Sequence, residues 1–310
     1  MKKYALAQSD LSVSSVILGL MRIGEMPDAE IRALVDAALS AGINMFDHAD
    51  VYGTPLHHCE ARFADAMKLS AADREKIVIQ TKAGIIPGGV FDFSEAHLLK
   101  AVEGSLKALK TDYLDILLLH RPDALVEPEE VASAFDKLQA SGKVRNFGVS
   151  NQPPGQIELL KTCVRQPLIV NQVQLSITHA PLIAQGVAIN MGGLEQSVDR
   201  TLGLLDYSRK EKMTLQAWSP YQKAWFDGSF IGDREAYPDL NDALDEIASA
   251  HGITPTGVAT AWITRHPARM QVVLGTTKPE RMRQAVAGAG VTLSREEWYR
   301  LFRTAGYKVP

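Results

Sequence analysis

Eight short apolar runs rich in branched residues, nearly continuous rather than alternating and separated by helix-period segments, predict a closed (β/α)8 barrel. Continuity implies strands buried on both faces, and eight strand-plus-helix units fit within 310 residues. The first strand-to-helix turn, GLMRIGEMPDAE, contains no GxGxxG, which argues against an open doubly wound sheet binding a dinucleotide.

The strands, in order, are VILGL (16–20), INMFDHA (43–49), IVIQTK (77–82), YLDILLLH (113–120), VRNFGVS (144–150), IVNQVQ (169–174), TLQAWS (214–219) and VVLG (272–275). Helical periodicity fills 28–42, 94–110, 129–142 and 242–252, and several of these segments close on a glycine in the C-cap position. Two stretches lie outside the eight units. The aromatic-rich loop 220–240 is long enough to expect a function, with Trp225, Phe226 and Phe230 placed to wall an apolar pocket, lie over a cofactor or fold away. The C-terminal segment 294–306 reads as a surface helix opened by a capping box of Ser294 and Glu297. Residues 1–310 are expected to form one domain, and the short tail after Arg303 predicts an open pocket.

Composition narrows the function. With 46% hydrophobic and 22% charged residues the chain belongs to the globular class, and no apolar run approaches a membrane span. The N-terminus breaks its apolar residues with Gln8, Ser9 and Asp10, so it lacks a secretory core and a cytoplasmic location is expected. A net charge of −3 provides no basic footprint for nucleic acid or membrane, which leaves a small molecule as the expected partner, with a monomer or weak oligomer as its host. Cys59 and Cys163 form neither a disulfide framework nor a zinc ribbon.

Barrel active sites sit at the C-terminal ends of the strands. Asp47, Lys82, His120, Ser150, Asn151, Trp218 and Ser219 occupy strand ends, Gln172 lies in the sixth strand, and Tyr52 follows the second. Taken singly, the lysine reads as solvated, the tyrosine as packing and the histidine as a strand cap; taken together they converge on one rim. Asp47, Tyr52, Lys82 and His120 then make an acid/base group. A lysine ammonium favours the phenolate, an aspartate keeps the lysine charged, and a histidine orients a carbonyl towards the tyrosine.

FDHADVYG (46–53) also suggests a metal site, and a metal-dependent hydrolase using Asp47, His48, His57, His58 or His120 is the competing enzyme reading. It gives Tyr52 and Lys82 no task. In a strand, residues 47 and 48 face opposite sides, so His48 is expected to be a wall residue, and Asp50 is given no catalytic role.

FDHADVYG, the lysine of IVIQTKAG, the histidine of LDILLLHRPD, KVRNFGVSN, NQVQLS, AWSPY and LGTTKPERMRQA resemble, in order and spacing, the signature segments of the aldo-keto reductases, and DHADVYG, HRPD and AGYKVP look most like the bacterial YdhF-type branch. The resemblance implies a barrel that binds NADPH without a Rossmann domain and transfers hydride to an aldehyde or ketone. It makes Tyr52 the proton donor, tuned by Lys82 and Asp47, and His120 the orienting residue. It gives Ser150, Asn151 and Gln172 to the carboxamide, Trp218 to the nicotinamide face, with Ser219 beside it, Lys278 and Arg281 to the 2′-phosphate and Gln284 to the adenine. Two cations at the start of a helix opened by Pro279 fit a phosphate, although a solvated helix face would read the same way. His48 stands where many members have threonine, and Ala285 where an asparagine often meets adenine. A barrel that senses NADPH or binds a partner with little turnover is the alternative from another class.

Overall fold

The computed structural model describes residues 2–224 and 227–309. Eight parallel strands close a barrel: β1 (Val16–Gly19), β2 (Met45–Asp47), β3 (Val78–Ala83), β4 (Leu114–Leu119), β5 (Val144–Ser150), β6 (Leu168–Gln174), β7 (Thr214–Trp218) and β8 (Gln271–Leu274). They follow chain order around the ring, and Val272 beside Val16 closes β8 onto β1.

Strand alternation sorts side chains into two cores. Phe46, Leu117 and Phe147 point outward into the layer shared with the helices, while Met45, Val78, Ile116 and Val170 point inward and fill the lower barrel. Helix Asp28–Ser40 buries Ile31, Leu34, Val35 and Ala38, a spacing that lays one apolar stripe on the sheet. Phe135 of helix Pro128–Ala140 stacks on Phe147 of β5 with centroids 4.0 Å apart. An N-terminal hairpin, Lys3–Ala5 paired with Ser12–Ser14, was not foreseen; its Val13, with Leu6 from the connecting turn, seals the bottom of the inner core.

Ser294 and Glu297 form the expected capping box of helix Arg295–Thr304. That helix is clasped by Trp298 and Trp262, whose rings stack 4.9 Å apart and whose indole N–H groups each donate to the other's carbonyl at 2.9 and 3.2 Å. The loop after β7 doubles back, with Gln222 bridged to Ser229, before helix Pro238–His251 begins. Trp225 and Phe226, placed by the sequence to wall a pocket, cover a cofactor or fold away, lie outside the described residues. Phe230 folds away: it is wholly buried in the helix-side core, and its carbonyl accepts from Asn241.

Candidate active site

The C-terminal rim opens into a cleft of about 860 Å³. Asp47, Tyr52, His120, Ser150, Asn151, Gln172, Trp218, Ser219 and Arg281 line it, so most of the residues singled out in the sequence converge there. Lys82 lies beneath its floor, fully buried.

Asp47 ends β2 pointing inward, and Lys82, two residues beyond Gln80 on β3, shares that face. The Lys82 ammonium donates to Asp47 Oδ2 at 2.7 Å, to the His48 carbonyl at 2.8 Å and to Tyr52 Oη at 3.1 Å. Three acceptors use all three ammonium protons. The loop carrying Tyr52 is tied back to the barrel: the Asp50 amide donates to the Lys82 carbonyl, the His57 amide to the Asp50 carbonyl and the Cys59 amide to the Tyr52 carbonyl. Because Tyr52 Oη accepts from Lys82, its own proton is free to point at a ligand.

Burial works against the charge on Lys82, but the Asp47 carboxylate and the Tyr52 oxygen outweigh it and hold the ammonium above its usual value. Tyr52 departs from the sequence expectation. Burial pushes the phenol up, and the pull of Lys82 in the opposite direction is the smaller effect, so Tyr52 is a neutral phenol with its proton in place. His120 stands edge-on to Tyr52 at 5.8 Å between ring centroids. Burial, then Lys82 and Arg121, hold its imidazole well below the ordinary value, so it is neutral at physiological pH. Its Nδ1 is buried without a hydrogen-bond partner among the described residues.

On the far wall the Ser150 hydroxyl donates to the Gln172 carbonyl at 2.8 Å, Asn151 Nδ2 donates to Ser150 Oγ at 2.8 Å, and Trp218 Nε1 donates to Asn151 Oδ1 at 3.1 Å. Asn151 and Ser219, each just after a strand, adopt left-handed backbone conformations (φ 57° and 51°) that turn the chain sharply at the rim. Helix Pro279–Ala289 begins at Lys278 with no side-chain cap, leaving its first amides for an anion. Arg281 reaches the cleft, whereas Lys278 is exposed at the helix start and Gln284, half-buried one turn on, does not line it.

The metal reading does not assemble. His48 points outward and meets the Phe63 ring edge-on at 5.0 Å, with burial lowering its pKa to about 4. His57 faces Glu60 at 2.7 Å, and His58 faces the Gly24 carbonyl. Among the described residues no three His, Cys, Asp or Glu side chains are grouped to hold a metal. Behind the Tyr52 loop Glu60 accepts from Thr81 at 2.6 Å, and Asp50, buried with Oδ1 unpartnered, is pushed up to about 7 by burial and then by Glu60.

Sequence reasoning missed Arg22 and Arg121, which line the cleft near Met21, Tyr52 and His120; the Arg121 guanidinium lies 5.7 Å from the Trp218 ring centroid. HRPD was recognised as a motif, and a cation directly after a strand-ending histidine was the available signal.

This fold and rim are those of a barrel reductase. The sequence profile of the aldo/keto reductase family matches residues 15–303, and the chain belongs to that family. It is 35% identical to 6-dehydroglucose reductase of Agrobacterium fabrum over 98% of both chains. It is 32% identical to oxidoreductase YdhF of Escherichia coli, covering 100% of this chain and 99% of that one. Among solved structures it resembles the thermostable aldo-keto reductase Tm1743, bound there to the inhibitor epalrestat, with a TM-score of 0.78 and 25% identity over 98% of this chain and 100% of that one. The protein is an NAD(P)H-dependent oxidoreductase of the carbonyl-reducing class. No helix among the described residues is long and apolar enough to cross a membrane.

Proposed function

We propose that the chain reduces an aldehyde or ketone to an alcohol with NADPH, Tyr52 giving its proton to the carbonyl oxygen. The observation that carries this reading is the direction of the Lys82–Tyr52 hydrogen bond. It stabilises the oxygen that develops negative charge, and it leaves the phenol proton aimed at the cleft.

NADPH, when bound, supplies the hydride. Trp218, Ser150, Asn151 and Gln172 line the cleft; Trp218 would offer a flat face to the nicotinamide, and Ser150, Asn151 and Gln172 would hold its carboxamide. Neutral His120 offers a ring N–H to the substrate oxygen without competing as a cation, which fits an unpartnered Nδ1 left unprotonated. Asp47 keeps Lys82 charged while Tyr52 gives up its proton. Arg281 at an uncapped helix start, with Lys278 beside it, supports the choice of NADPH over NADH.

Arg22 and Arg121 at the substrate end favour a polar, hydroxylated carbonyl compound over a purely apolar one. The 6-dehydroglucose reductase relative points the same way. The test follows consumption of reduced nicotinamide with a panel of sugar, aliphatic and aromatic aldehydes, wild type beside Tyr52→Phe, with and without chelator. Tyr52→Phe should lose about a hundredfold to ten-thousandfold in kcat while binding NADPH as the wild type does. Unchanged kcat refutes the role of Tyr52. Tight NADPH binding without turnover in the wild type refutes the reductase reading and favours a cofactor sensor.

A further inference from the structure

Directly beneath the rim the barrel carries a polar layer where an apolar one is usual. Gln80 of β3, Gln172 of β6, Gln216 of β7 and Gln271 of β8 are 0, 3, 0 and 0% exposed. Strand register sets Asp47 beside Gln80, Gln172 beside Gln216 and Gln216 beside Gln271.

The amides form one directed network. Gln80 and Gln172 each donate to Asp47 Oδ1, at 2.7 and 2.9 Å, and each donates again to Gln216 Oε1, at 2.8 and 3.0 Å. Gln216 Nε2 donates to Gln80 Oε1 and to Gln271 Oε1, both at 3.1 Å. Gln271 Nε2 donates to the Ser14 carbonyl at 2.8 Å and approaches Met45 Sδ at 3.6 Å. Each nitrogen has two acceptors for its two protons. Turning Gln172 over would press its oxygen against Asp47 Oδ1 and Gln216 Oε1 in a dry interior, so its polarity is fixed. Its Oε1, with no partner among the described residues, is the atom left for the cleft it lines.

We propose that Gln80, Gln216 and Gln271 are positioning residues for the reduction, holding Asp47 as an acceptor of three hydrogen bonds and presenting only the side-chain Oε1 of Gln172 to the cofactor carboxamide. This rests on the NADPH reading above. Gln172 then accepts from the carboxamide NH2 and cannot donate to its oxygen, which fixes which way round the carboxamide sits.

The decisive probe is the reduced 3-acetylpyridine analogue of NADPH, in which a methyl group replaces that NH2. Its Kd and that of NADPH are measured by fluorescence titration for wild type and Gln216→Met, an apolar change of similar volume. The wild type should prefer NADPH. In Gln216→Met, Gln172 loses one of the two acceptors that fix its amide, and the preference should shrink about fivefold, the worth of one neutral hydrogen bond. An unchanged preference in a folded variant overturns the proposal, even if thermal stability falls, because a merely structural amide moves stability alone.

Gln80→Glu gives an independent reading should Gln216→Met fail to fold. The introduced carboxyl, beside Asp47, stays neutral at low pH and can donate its proton there, but repels Asp47 once ionised. Its kcat should approach wild type at low pH and fall as pH rises through a range where wild type holds steady, with NADPH Kd changed less. A profile matching wild type overturns the proposal. Wild-type turnover in the same assay separates the two hypotheses: without it the reductase reading falls and takes this one with it, whereas turnover with both variants behaving as wild type removes only the positioning role.

Discussion

Asp50→Asn should stabilise the protein by an amount that grows with pH. Asp50 is 3% exposed, its Oδ1 has no partner, and burial followed by Glu60 raises its pKa from 3.8 to about 7, against the smaller pulls of His57, the Val51 amide and Lys82. In the unfolded chain the carboxyl ionises near pH 4; in the folded chain it holds its proton to about 7. Between these values the unfolded state is progressively favoured, so this residue's cost is absent below pH 4, rises through the window and is complete above pH 7. A displacement of about three pH units at about 1.4 kcal/mol each gives about 4 kcal/mol. Side-chain burial leaves little solvent screening to reduce it. Urea unfolding of both proteins at several pH values between 4 and 8 measures the effect as a difference of differences, in which shared groups that do not interact with Asp50 cancel, the coupling of Asp50 to Glu60 and His57 is part of the effect read, and the buried asparagine amide adds only a constant. The stability gap should widen by about 3–4 kcal/mol between the ends of the series. A gap independent of pH refutes the reasoning.

Arg281→Met should weaken NADPH about tenfold or more and NADH by less than about twofold, because in the proposed cofactor pose the guanidinium would meet only the 2′-phosphate; Kd values for both cofactors check this. Arg121→Leu should lower kcat/KM for hydroxylated aldehydes about tenfold to a hundredfold relative to apolar ones, read from a matched substrate panel. Gly288→Ala should cost about 3 kcal/mol or more in chemical denaturation, since a Cβ there would lie 1.9 Å from the Gly257 carbonyl oxygen, and should weaken NADPH binding by displacing helix Pro279–Ala289.

The strands were legible because burial on both faces leaves a continuous apolar run, and β5 was read to the residue. The N-terminal hairpin was not, because three-residue strands such as Lys3–Ala5 carry too little pattern to separate from a polar leader. Asp47, Lys82 and His120 could be placed on one rim because strand ends converge in any closed barrel. Gln80 and Gln216 sit on the same inward faces, two residues before Lys82 and Trp218, yet nothing in their own strands singles them out. Their meaning lies in partners across the barrel, which register supplies and periodicity does not. The sign of the shift on Tyr52 was hidden for a related reason: a motif names the ammonium beside the phenol but not the depth of burial that outweighs it.

Closure of β8 onto β1 has a consequence for the order in which the chain can be made. The seam joins Val272 to Val16, so a nascent chain exposes two unpaired strand edges until its last barrel strand has left the ribosome. Met45, Val78 and Ile116 stay open to water for the same interval. Gln271 arrives last, and its amide bonds the Ser14 carbonyl next to the first strand, so final assembly of the interior reads both ends of the chain at once. Fragments that stop short of β8 therefore lack more than one stave: they leave Gln216 with an unspent donor and an open sheet, the conditions under which chains pair with each other instead of with themselves.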